Sequence, residues 1–212
     1  MTTVDELARD VLASIATDAN AIAAAKWIDN RYHEMVSKVK FRHLRKVGEL
    51  SLPEKYDTGT ISAVRGSTAI AGVATQFETD LTAGTHEYYY IRTNSTWYRI
   101  ASVTDESNLV LDSAFAEDSV AAATFDIVKR YQPLASDARW IGEFYQPRLR
   151  IHLRKVSLDG LNSLVSGRPL ISNDPKFVAE AEVDSNGYRT VEVYPPPSES
   201  DMLQYVYWTL PS

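Results

Sequence analysis

The chain has 212 residues, 44% of them hydrophobic, and no cysteine, so it can bury a core but cannot form disulfides or thiolate metal sites. Its formal net charge of -6 disfavours broad electrostatic binding to nucleic acid, which needs several Lys or Arg on one face. No run reaches the roughly 18 apolar residues that span a bilayer, and Met1-Thr2-Thr3-Val4-Asp5-Glu6 lacks the basic start and apolar core of a signal peptide, so cytoplasmic synthesis and no membrane partner are expected.

Thr3 and Glu6 have capping-box spacing, and Val4, Leu7, Val11, Leu12 and Ile15 follow at helical intervals, which predicts a first helix. Thr17-Asp18 interrupts it and can cap a second, with Ile22, Ala25, Ile28, Tyr32, Met35, Val36 and Val39 as its apolar stripe. The two form an antiparallel pair whose stripes must pack on each other and on the β part or a neighbouring subunit, because such short helices are marginal alone. Lys38, Lys40, Arg42, His43, Arg45 and Lys46 crowd the end of the second helix. They read either as a solvated, dipole-matched helix end or as contacts for phosphate or an acidic partner.

Glu49-Leu50-Ser51-Leu52 alternates as a short strand and stops at Pro53. From Thr58 to Val128 the pattern changes. This block holds nine Asp/Glu against three Arg, with no Lys or Pro, while nineteen acidic and nineteen basic residues balance elsewhere. Within it, Thr60–Val64 and Thr68–Ala71 flank a turn at Arg65-Gly66-Ser67, with Gly72 as a breaker or bulge. Tyr88–Arg92 and Trp97–Ile100 flank a second turn, and Asn108–Leu111 and Thr124–Val128 complete about six strands, the spacing of a small barrel or sandwich.

Beyond the block, Ser136-Asp137 can cap a short helical turn carrying Trp140 and Ile141, and Ser157–Leu164 reads as another helix. Phe177–Val183, a turn at Asp184-Ser185-Asn186-Gly187, Thr190–Tyr194, the Pro195-Pro196-Pro197 connection and Leu203–Trp208 predict a three-stranded antiparallel meander. The expected fold is therefore α+β. An N-terminal helical hairpin and a C-terminal β-meander form a host domain of residues 1–57 and 129–212, with a small all-β barrel or sandwich inserted at 58–128.

Chemistry-bearing patterns are sparse. His33-Glu34 and His86-Glu87 begin a zinc-protease signature, but Ser37 and Tyr90 stand where the second His belongs. Asp105-Glu106 and Glu117-Asp118 lack EF-hand spacing and read as solvated loop tips. Tyr88-Tyr89-Tyr90 with Trp97-Tyr98 could stack sugars or bases, or build the hairpin through cross-strand pairs. No catalytic constellation emerges, so neither an enzyme nor a cofactor or metal is expected.

Trp27-Ile28-Asp29-Asn30-Arg31-Tyr32-His33-Glu34 resembles the opening helices of head-to-tail connector (adaptor) proteins of tailed bacteriophages. Gly167-Arg168-Pro169, Val191-Glu192-Val193-Tyr194-Pro195-Pro196-Pro197 and Leu203-Gln204-Tyr205-Val206-Tyr207-Trp208 resemble that family's Gly-x-Pro step, Pro-containing turn and Tyr-x-Tyr strand, in the same order. The block, with Thr75-Gln76-Phe77, Trp97–Val103 and Leu109-Val110-Leu111, is similar to a small β-domain that some phage neck and tail proteins carry as an insertion. The resemblance implies a structural virion-neck protein: a homo-oligomeric ring of about twelve copies below a portal, extending a channel for double-stranded DNA and receiving the next neck or tail protein. Its alternatives are a carbohydrate- or receptor-binding tail module and a tail-completion or terminator protein. Lys38, Lys40, Arg42, Arg45 and Lys46 are its candidate contacts to a partner or to phosphate.

Overall fold

The computed structural model describes residue 6 and residues 21–81, 88–165 and 173–210. The fold is α+β, with largely antiparallel sheets and a few helices. Its described residues fall into two compact units, one drawn from Met1–Val47, Asp137–Gly142 and Val206–Ser212 and the other from Gly48–Ser136 and Glu143–Tyr205.

In the first unit, α1 (Ala21–Lys38) follows from an alanine-rich start and an uninterrupted run without Gly or Pro. Glu34 accepts from Lys38 Nζ at 2.9 Å, an i,i+4 pair in the favourable orientation. Val36 is fully buried, while Trp27, Met35 and Val39 are 60%, 54% and 52% exposed. The predicted first helix, Thr3 to Ile15, lies outside the described residues apart from Glu6. After Lys38 the chain makes a single 3-10 turn, Arg42–Leu44, and enters β1 (Arg45–Leu52). The helix thus ends earlier than the charge cluster suggests, and the strand begins four residues before the predicted Glu49.

β1 lies at one edge of a four-stranded sheet that also contains β10 (Trp140–Gln146), β11 (Ile151–His152) and β15 (Asp201–Trp208), in the order β1-β15-β10-β11. Two expectations fail here. Trp140 and Ile141 are extended rather than helical, and the last strand does not extend a C-terminal meander, because β15 pairs between β1 and β10. The alternation of Leu203, Tyr205 and Tyr207 sets which face of β15 is buried, but not which strand lies beside it.

In the second unit, a second four-stranded sheet has the order β12-β13-β14-β9, from β9 (Tyr131–Pro133), β12 (Arg154–Val156), β13 (Phe177–Val183) and β14 (Arg189–Tyr194). The β13–β14 hairpin is as predicted, with Gly187 at φ +82° in its turn. β12 runs parallel to β13, which requires a crossover, and α3 (Leu158–Leu164) lies on it. Ser157 caps α3 by accepting from the Gly160 N–H at 3.0 Å, and Leu161 packs with Ala179 and Tyr194.

The acidic block forms a curled seven-stranded antiparallel sheet. Its strands are β2 (Thr60–Ala63), β3 (Ala69–Val73), β4 (Tyr89–Arg92), β5 (Tyr98–Asp105), β6 (Asn108–Leu111), β7 (Val120–Ala123) and β8 (Asp126–Lys129), in the order β7-β2-β3-β6-β5-β4-β8. Ile61, Ile70, Ile91, Ile100, Leu109, Leu111 and Ile127 project into one core with Phe115 and Phe125. The one-turn helix α2 (Phe77–Asp80) adds Phe77 to it. Gly72 is a strand residue and not a breaker: a Cβ there would sit 2.4 Å from Thr75 Oγ1 and 2.9 Å from Phe77 Cε2.

Candidate functional site

Four of the five basic residues singled out by the sequence occupy three successive elements, and Lys40 lies between the first two. Lys38 closes α1 and pairs with Glu34. Lys40 follows it, with Nζ 4.9 Å from the centre of the Trp208 ring. Arg42 is on the 3-10 turn, and Arg45 and Lys46 begin β1. Lys46 Nζ donates to Asp137 Oδ2 at 2.7 Å, and this hydrogen bond raises the ammonium pKa while holding the Asp137 carboxyl low. His43 meets Tyr32 Oη through Nε2 at 2.7 Å, with the two rings nearly parallel at 11°. All five cations are exposed, and Lys38, Lys40 and Lys46 are already engaged by this chain's own residues.

The tyrosine-rich hairpin divides its rings between two faces. Tyr89, Ile91, Tyr98 and Ile100 point into the core, so these two tyrosines build the fold and not an exposed platform. Burial pushes the Tyr89 phenol pKa up. The alternate residues Tyr90 and Arg99 are directly opposite one another across β4 and β5, on the outer face. They floor a cleft of about 470 Å³ whose other walls come from Tyr131, Leu158, the Glu182 and Val183 end of β13 and Asp184 just beyond it.

Hydrogen bonds fix the cleft's rim. Tyr88 Oη donates to the Asp184 carboxylate, whose other oxygen accepts the backbone N–H groups of Asn186 at 2.9 Å and Tyr188 at 2.7 Å. Thr190 Oγ1 donates to the Glu182 carbonyl at 2.6 Å. Tyr90 and Tyr131 meet edge to face, with centroids 5.7 Å apart, and the Arg130 guanidinium lies 5.1 Å and 5.4 Å from the two rings. Arg130 Nε in turn donates to Glu192 Oε1 at 3.0 Å. Burial raises the Tyr131 phenol to about 12, against the opposing pull of Arg130. Burial alone lowers the Lys129 ammonium, which lies 5.8 Å from the Tyr88 ring centre.

The acidic pairs act on turns. Asp105 accepts from the Ser107 N–H at 2.7 Å, and Glu106 accepts from the Thr79 hydroxyl at 2.5 Å and the Thr79 N–H at 3.2 Å; these bonds hold both carboxyls below their usual range. Glu117 is the most committed. It accepts from the N–H groups of Thr96 at 2.9 Å and Ser95 at 3.2 Å, and from the side chains of Thr93, Asn94 and Ser95. Burial pushes its carboxyl up, but the Thr96 and Ser95 bonds prevail and bring it to about 2. Among the described residues, no three His, Cys, Asp or Glu side chains are grouped to hold a metal ion.

The cleft was missed by sequence reasoning. Tyr90 stands out in the sequence as part of a tyrosine run, but nothing local connects it to Tyr131, Glu182 or Thr190 on other strands. No protein-family model, no curated protein and no solved structure matches the chain.

Proposed function

We propose that this chain is a structural virion protein, a head-to-tail connector that forms a ring below a portal, extends the DNA channel and offers a docking surface to the next neck or tail protein. The observation that carries this reading is the exposed surface of α1 and the residue that follows it, where Trp27, Met35 and then Val39 remain more than half exposed. A helix that leaves such side chains in water gains most by covering them with another copy, and a heterologous contact repeated about a rotation axis closes a ring. The order of connector-like motifs along the sequence supports the same class.

In this reading, α1 is the second arm of a helical hairpin and the block 58–128 is an inserted domain. Supporting the insertion, Tyr56 and Ile127 exchange both backbone hydrogen bonds at 2.8 Å, so the chain enters and leaves the block side by side. The division of charge fits the work. The host is neutral overall and makes the ring, while the acidic block repels phosphate and does not bind DNA as it passes. Lys38, Lys40, Arg42, Arg45 and Lys46 are exposed cations that can face an acidic surface of the portal or of the adjoining subunit, Lys38, Lys40 and Lys46 from within their contacts to Glu34, Trp208 and Asp137. No catalytic step is assigned to the protein.

Mixing the purified chain with its cognate portal ring and imaging the product tests the reading. A second ring coaxial with the portal is expected, and portal rings that remain bare at saturating chain would overturn it.

A further inference from the structure

We infer that the cleft between Tyr90 and Glu182 binds a neutral saccharide. Its volume of about 470 Å³ lies within the range of small-ligand sites, roughly 300–1,000 Å³. Aromatic and aliphatic surface comes from Tyr90, Tyr131 and Leu158, on which the C–H faces of a sugar ring can stack. Sugar hydroxyls both donate and accept, and the walls supply both partners: the Arg99 guanidinium donates, and the Glu182 carboxylate and the lone pairs of Thr190 Oγ1 accept.

Other small-ligand classes fit less well. Around the cleft the carboxylates Glu182, Asp184 and Glu192 are matched by Arg99, Arg130 and Lys129, so phosphate or a carboxylate meets no net positive wall. A cationic ligand meets no net negative wall either, and Arg130 and Lys129 beside the Tyr90, Tyr131 and Tyr88 rings repel it. Asp184 is committed to Tyr88 and to its own turn, which makes it a shaping residue and leaves Glu182 as the acceptor presented to the ligand. The inference does not depend on the connector reading, because a ring and a monomer would carry the same cleft.

Calorimetric titration of the full-length chain tests it, using neutral hexose and N-acetylhexosamine trisaccharides, with inorganic phosphate and cadaverine as charged probes. At least one neutral trisaccharide is expected to bind saturably, with a dissociation constant of about 1 mM or tighter. Glu182→Ala, at an exposed strand end, should weaken it about tenfold without changing the near-ultraviolet circular dichroism, and Tyr90→Leu should weaken it at least as much. Thr190→Val serves as a second hydrogen-bond test should Tyr90→Leu fail to fold. The inference is overturned if no neutral trisaccharide binds, if Glu182→Ala leaves affinity unchanged in a folded protein, or if phosphate or cadaverine binds more tightly than every sugar.

Discussion

Arg130 Nε donates to Glu192 Oε1 at 3.0 Å, joining the chain just beyond β8 to the centre of β14, where the Glu192 side chain is only 2% exposed. A carboxylate this deeply buried is tolerated because a guanidinium faces it, and that guanidinium is itself held by the Tyr90 and Tyr131 rings. The acidic sheet and the β14 sheet are thereby linked by charge as well as by chain within one compact unit.

Replacing Arg130 by Met removes the guanidinium that faces the buried Glu192 carboxylate. Equilibrium urea unfolding should show a loss of about 3 kcal/mol, most of it recovered in the double variant Arg130→Met, Glu192→Leu. Equal losses in the single and double variants would show that the pair is not the source of the effect.

Glu117 should make stability fall in acid. Its folded pKa of about 2 lies below the unfolded value near 4.5, so its contribution is present in full above pH 4.5 and is lost as the pH drops towards 2. Glu117→Gln should cost about 1 kcal/mol at pH 7, a figure reduced for solvent screening, and should flatten the melting temperature against pH between about 4.5 and 2. An unchanged acid limb in the variant would remove Glu117 from the account.

Gly48 faces the Tyr205 ring so closely that a Cβ would lie 2.5 Å from Cζ. The ring has little room to yield, because it stacks on Phe144 at 5.6 Å and its hydroxyl accepts the Ala135 N–H at 2.8 Å. Gly48→Ala should therefore destabilise by about 1–3 kcal/mol in thermal unfolding, although alanine is the better residue for an ordinary strand.

The sequence and the structure agree where the signal is local. Gly66 and Gly187 mark hairpin turns at φ +84° and +82°, and Ser157 marks the start of α3. Where the answer depends on a distant partner, local pattern misleads. Val120-Ala121-Ala122-Ala123 has weak strand propensity and becomes a strand through irregular pairing with β2, with Ala122 at φ +53°. Ser136-Asp137 reads as a helix cap, yet the following residues pair in a sheet. The basic residues from Lys38 to Lys46 were visible as a cluster, but Trp208 and Asp137, which engage two of them, lie far along the chain. The cleft needed several separate segments to be assembled before it existed at all.

Ring formation through the exposed face of α1 is the central claim, and native mass measurement of the wild-type chain beside Trp27→Glu, Met35→Glu tests it most directly. Both positions are more than half exposed, so the double variant should change protomer stability by less than about 1 kcal/mol. The account predicts a closed assembly of about twelve protomers for the wild type, formed alone or on its portal, and a monomer for the double variant. A wild-type chain that stays monomeric under both conditions, or a double variant that assembles as well as the wild type, would contradict it.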